Sequence, residues 1–178
     1  MTSKIAESLR LATHPVAVIW SDTTVEGAKA FSPGKMGCVL TMFAQTAVKG
    51  TIASFSRANY GCFGGGVGLG FGNRYEDFPG GVDCFCHFLS DGNERSPIGK
   101  AIGDKIAASG AGHFARTFQV GEKYVKDAAI TRTFVNALPI RDIPTEFVLL
   151  KPLSLSSPES DQIKSVTFFV TPDQLSAL

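Results

Sequence analysis

From Tyr60 to Asn73 the sequence reads YGCFGGGVGLGFGN, seven glycines in fourteen residues around one cysteine. Glycine tolerates positive φ and lets backbone amides come close to a ligand or to another strand. The chain must therefore fold around a tight backbone passage at Cys62. Three readings arise: a phosphate cradle, a cofactor seat built on a thiolate, or a place where two backbones pack closely. Spacing removes the first. No frame between Gly61 and Gly72 gives G-x-G-x-x-G, and no Gly-Lys-Ser or Gly-Lys-Thr follows. Close packing through Gly64, Gly65, Gly66, Gly68 and Gly70 stands beside the thiolate seat, since unpaired amides there can receive anionic sulfur or oxygen.

The four cysteines divide into two pairs. Cys38 and Cys62 each follow a glycine, Gly37 or Gly61, and each leads into a segment with helical character. A thiol at a helix N-terminus faces positive partial charge, which lowers its pKa and makes it a good soft-metal ligand or nucleophile. No C-x-x-C pair and no zinc-finger histidine accompanies them. Cys84 and Cys86 lie in GGVDCFCHFLS, residues 80–90, which alternates as a strand placing Val82, Cys84, Cys86 and Phe88 on one face. That face reads as core, because a free cysteine behaves as a small hydrophobe. On the opposite face His87 stands near Asp83, an arrangement more typical of a hydrogen-bonded structural histidine than of a catalytic one. No Ser-His-Asp order and no paired carboxylates mark a hydrolase.

Around these residues the chain mixes strands and helices. Helices are expected over residues 3–12; in GCVLTMFAQTAVKG, stopped by Gly50; in SPIGKAIGDKIAASG, with Ser96 as N-cap and Pro97 at N1; and in DAAITRTFVNALP, with Asp127 as cap and an apolar stripe at Ile130, Phe134 and Leu138. Strands are expected in PVAVIW, TIASFS, EFVLLKPL and KSVTFFV. With no clean βαβ repeat, the expected fold is α+β, a mixed or antiparallel sheet with helices packed against it in a single compact domain over residues 1–178. Thr171, Pro172 and Gln174 make a capping-box helix start close to Leu178, a helix short enough to need docking on the core.

Composition narrows the function. A net charge of +1 in 178 residues, without a long basic run, argues against a nucleic-acid groove. No apolar stretch is long enough to cross a bilayer, and the first twenty residues lack the order of a signal peptide. The reading places the protein in the cytoplasm, with its cysteines reduced and therefore buried, metal-binding or reactive. Fourteen phenylalanines supply enough apolar surface for homo-oligomer formation, unless the core consumes them.

The segments PVAV, Cys38 with Ala47 and Gly50, CFGGGVGLGF, PGGVDCFCHFLSDGNE, GEKYVKD, FVLLKPL and TPDQLSAL together resemble the uncharacterised archaeal cysteine-rich family, domain of unknown function 169. The resemblance implies that Cys38 and Cys62 belong to the family pattern whereas Cys84 and Cys86 do not. It also implies a further region beyond the last segment that carries another cysteine, so that this chain would lack a C-terminal part.

The leading expectation is a thiolate-ligated metal or iron–sulfur cluster, with Cys38 and Cys62 as core ligands, Cys84 or Cys86 completing the set, and a redox partner to exchange with. Backbone amides of Gly61, Gly64, Gly65 and Gly66, with Arg57 and Asn59 as polar walls, would surround that group or a small anionic ligand. The alternative is a metal-free small-ligand or protein-interaction module whose thiols only pack. A third reading is thiol chemistry at Cys62 with His87 as base.

Overall fold

The computed structural model describes residues 1–177; Leu178, with which the last expected helix ends, lies outside the described residues. In chain order the elements are α1 (Lys4–Ser8), β1 (Val16–Ser21), α2 (Val39–Lys49), β2 (Ala53–Ser56), α3 (Phe63–Gly68) and α4 (Gly81–Leu89). Then follow α5 (Pro97–Ala108), α6 (Gly112–Val120), α7 (Ala128–Ala137), β3 (Phe147–Pro152), β4 (Gln162–Thr167) and α8 (Pro172–Ser176). They fall into two compact units, one formed by Met1–Phe71 with the segment from Asp142 onward, the other by Gly72–Arg141. The fold is α+β with an antiparallel sheet, as the sequence leads one to expect. No helix among the described residues is long and apolar enough to cross a membrane.

The first unit holds the sheet, in the order β2-β3-β1-β4 with antiparallel neighbours throughout. Both faces of β1 are covered, which is why PVAVIW reads as a nearly continuous apolar run. Val16, Val18 and Trp20 pack into one cluster with Val39, Met42 and Ala47 of α2, while Ala17 and Ile19 join Leu149 and Leu153 in another. Pairing of β1 with β4 shifts register between Val18, opposite Ser165, and Ile19, opposite Ile163. Lys164 is the extra residue of that bulge, and its ammonium sits 4.5 Å over the Trp20 ring. At the end of α2, Gly50 takes φ 68 and donates its amide to the Thr46 carbonyl, the glycine stop expected from sequence. The capping box at Thr171 and Gln174 forms, and the Gln174 side-chain amide also donates to the Leu9 carbonyl beside α1 at 3.0 Å. That bond docks a helix too short to stand alone.

The second unit is helical, and here two expectations fail. Residues 81–89 form α4 rather than a strand, so Cys84, Phe85 and Cys86 are all buried and no alternating face exists. Short apolar runs are ambiguous between the two structures, and no capping side chain marks the start at Gly80. The stripe on α7 is reversed as well. Ile130 and Phe134 are exposed, and Thr131 and Val135 are the buried residues. His87 pairs with Asp91 at 2.9 Å and Asp83 with Arg132, although α4 places Asp83 and His87 one turn apart on the same face. Helix α6 escapes the sequence reading because its N-cap, Ala111, offers no hydrogen-bonding side chain. Phe78 is the hub of the unit's core, with ring centroids of Phe85, Phe88, Phe114 and Phe118 between 5.1 and 6.2 Å away. Much of the aromatic content is thus consumed internally.

In the first unit one ion pair fixes the approach to β4. Lys151 of β3 meets Asp161 at 2.8 Å, with side chains 14% and 12% exposed, and the Ser157 amide donates to the other carboxylate oxygen at 3.0 Å. Burial pushes the Asp161 carboxyl up, but the Lys151 hydrogen bond, the Ser157 amide and the Lys151 charge outweigh it and leave the pKa below its ordinary value. A carboxyl lowered by folding stabilises the folded state above the unfolded pKa, near pH 4, and that stability is lost as pH falls through the folded value. We expect Asp161→Asn to cost about 1–2 kcal/mol at pH 7 and to flatten the acid limb of stability against pH. Denaturant melts from pH 7 to pH 3 check this, and parallel curves for the two proteins would refute it.

Candidate functional site

The site is built on a close approach of two Gly-Cys turns. Phe31 packs on the fully buried Phe55 of β2, ring centroids 5.9 Å apart, and presents its edges to Gly37 and Gly61. A Cβ at Gly61 would stand 2.6 Å from the Gly37 carbonyl oxygen and 2.6 Å from the Phe31 ring, and a Cβ at Gly37 would also enter that ring. Gly61 moreover holds φ 80, a conformation that favours glycine. Glycine before each cysteine is thus a packing requirement, and it sets Cys38 and Cys62 on neighbouring turns.

Each cysteine is the N-cap of a helix. Cys62 caps α3, its Sγ accepting the Gly65 amide at 3.3 Å. Cys38 caps α2 without closing a full side-chain capping bond. Its thiol is nonetheless held below the ordinary value, by the Thr41 amide first; burial pulls the other way, and the Thr41 hydroxyl and Leu40 amide add to the lowering. The Cys38 residue is exposed and Cys62 half-buried.

Both residues line one groove of about 510 Å³. Val18 of β1 and Ser165 and Thr167 of β4 form one wall, Leu40 and Phe43 of α2 another, and Gly64, Gly65 and Gly68 of α3 a third. No charged side chain lines it among the described residues. The glycines of α3 are not equivalent. At Gly65 a Cβ would drive into Val39 of α2, whereas at Gly68 it would meet nothing within 4 Å. Gly66 is buried.

The remaining candidates lie elsewhere. Arg57, Asn59 and Gly61 line a smaller pocket of about 210 Å³. There the Arg57 guanidinium donates to the carbonyls of Thr145 and Ile143 and pairs with Asp142, while the Asn59 side chain accepts from the amide and hydroxyl of Ser56. Cys84 and Cys86 belong to the second unit, 7% and 1% exposed, and burial pushes both thiols up. No group of three or more His, Cys, Asp and Glu side chains gathers for a metal among the described residues. Sequence reasoning missed Phe31, Val18, Phe43, Ser165 and Thr167. Val18, Ser165 and Thr167 escape because the β1–β4 pairing that joins them spans most of the chain, and no local motif marks Phe31 or Phe43.

Comparison with protein families places the chain. The family model for domain of unknown function 169, described as uncharacterised ArCR, matches residues 4–178. The chain belongs to this family. No curated protein and no solved structure matches it, so the ArCR match supplies kinship and no activity, and the chemistry rests on the groove.

Two outcomes follow from this geometry. Gly61→Ala should destabilise the ArCR protein by roughly 1–3 kcal/mol through overpacking, whereas Gly68→Ala should be neutral or stabilising by up to about 1 kcal/mol, as for an unstrained helical glycine. Equal losses in chemical denaturation would contradict the distinction between them. With limiting iodoacetamide near pH 7.5, Cys38 should react about tenfold or more faster than Cys84 and Cys86, read by peptide mass spectrometry with and without denaturant.

Proposed function

We propose that this ArCR protein binds a thiophilic metal, as a soft ion or as part of an iron–sulfur cluster, through Cys38 and Cys62. The observation that carries the proposal is the shared groove. Two thiols that cap two different helices line one apolar opening, and the amides at the start of α2 hold the Cys38 thiol below its ordinary value. Thiolates select soft cations such as Cu(I) and zinc, and iron–sulfur clusters.

The donor set fits a mononuclear soft ion that accepts two thiolates. Clusters are typically held by four cysteine thiolates, of which the groove supplies Cys38 and Cys62, so the remaining ligands would come from outside the groove. Hydrogen bonds from backbone amides to sulfur tune such a group's potential, and the Gly65 amide already makes one to Cys62. When bound, the metal would supply electron transfer or soft Lewis acidity. The chain's own part is to hold the two sulfurs at the mouth of a groove that Val18, Phe43 and Leu69 make apolar. A reducing, cytoplasmic setting keeps the thiols available.

The apolar lining supports a second reading, a metal-free pocket for a small apolar ligand in which the thiols only line the wall. Anaerobic purification, visible absorption, and iron, sulfide and metal analysis separate the two. Under the metal reading the protein carries a thiolate-to-metal charge-transfer band or acquires one on anaerobic reconstitution. Cys38→Ser and Cys62→Ser then each weaken retention by more than about tenfold, since even outer-shell changes cost that much, and the double variant Cys84→Ala/Cys86→Ala retains it. A folded protein that takes up no metal overturns the proposal in favour of the apolar pocket.

A further inference from the structure

We propose a second, independent binding site in the helical unit, a pocket for the phosphoryl group of a small molecule, gripped by Arg95, Lys123 and Lys126. These three side chains line one opening of about 470 Å³ together with Asp91 and Glu94. Volume of this order suits a small ligand.

The scaffold is rigid. Residues 88–95 and 118–126 run past each other laced by backbone hydrogen bonds: the Glu122 amide to the Phe88 carbonyl at 2.7 Å, Tyr124 to Leu89 at 3.0 Å, Lys123 to Ser90 at 3.2 Å, and Glu94 to Gln119 at 3.1 Å. Gly92 and Gly121 cross in contact; a Cβ on Gly121 would lie 2.6 Å from the Gly92 amide nitrogen, and one on Gly92 would lie 2.7 Å from that of Gly121. Asn93, 1% exposed, pins the crossing from below by donating to the carbonyls of Cys84 and Phe118. Lys123 itself is held at φ 59, a left-handed conformation uncommon outside glycine. A constrained backbone of this kind fixes where the Cα atoms of the three cations stand before a ligand arrives.

Charge decides the ligand. Arg95, Lys123 and Lys126 make no ion pair among the described residues. Of the two acids, Asp91 is engaged by His87 at 2.9 Å and by the Ser90 hydroxyl at 3.2 Å, and Glu94 acts on Lys100 of α5, outside the pocket. Three unpaired cations against two carboxylates leave a surplus of one positive charge. It suits a compact, multiply charged oxyanion, to which arginine offers a planar fork and lysine a point charge.

The test is a titration of the intact chain with inorganic phosphate and pyrophosphate, followed by amide chemical shifts. Binding should perturb residues 88–95 and 118–126, tighten from phosphate to pyrophosphate, and weaken as sodium chloride is raised. Arg95→Ala and Lys123→Ala should each weaken pyrophosphate roughly tenfold, the loss expected for a charge-assisted contact. Lys49→Ala and Cys38→Ser, both in the first unit, should leave it unchanged, which keeps this result separate from that of the thiol groove. Shifts confined to other residues, or pyrophosphate affinity untouched in the folded Arg95→Ala/Lys123→Ala protein, would overturn the proposal. Competition by a short single-stranded oligonucleotide that binds tighter than pyrophosphate would overturn the assignment to a small molecule.

Discussion

The contact on which the site depends is a phenylalanine ring meeting two backbones that carry no side chains. Phe31 rests on the buried Phe55 of the sheet and touches Gly37 and Gly61, so the position of the sheet is passed directly to the two turns that end in Cys38 and Cys62. Interiors are packed too densely to absorb an added methyl group without displacement, and at Gly61 the nearest obstacle is the Gly37 carbonyl oxygen, which cannot swing aside as a side chain could. The pairing of glycine with cysteine is then one device used twice. The glycine admits the ring, and the cysteine that follows falls at the helix start.

Seen this way, the glycine-rich α3 is a compromise between helix stability and surface. A helix reading FGGGVG gives up about 1 kcal/mol per glycine relative to alanine, and six residues repay little of the cost of nucleation. Gly65 recovers part of that loss by letting Val39 of α2 pack against the backbone. Gly68 recovers nothing through contact, since the space beside it is open, and its bareness widens the groove instead. Packing and access are served by different glycines one turn apart.

Features legible in the sequence are those set by neighbours along the chain. Gly50 ending α2, the Ser96 and Asp127 caps, and the capping box at Thr171 and Gln174 depend on residues three or four apart, and each forms as read. Helix α4 was not legible, because the apolar run from Val82 to Leu89 satisfies a strand pattern and a buried helix alike until tertiary packing decides. Here the decision is made by the aromatic core, where Phe85 stacks on Tyr75 at 4.2 Å and meets Phe78 edge-on. The candidate site divides the same way. Its cysteines announce themselves through Gly-Cys turns, but the wall opposite them comes from Val18, Ser165 and Thr167, residues joined by a pairing that no local pattern encodes.

The four cysteines show how far position outweighs residue type. In α4, Cys84 packs back against Gly80, and burial raises its pKa, as it does for Cys86. At the start of α2, Cys38 lies against the Thr41 and Leu40 amides, and its pKa falls. The contrast follows from where in each helix the thiol sits. An interior position offers apolar neighbours and penalises charge, whereas an N-cap offers dipoles and rewards it. A chain that places two cysteines inside one helix and two at helix starts has separated packing from exposure without changing the amino acid.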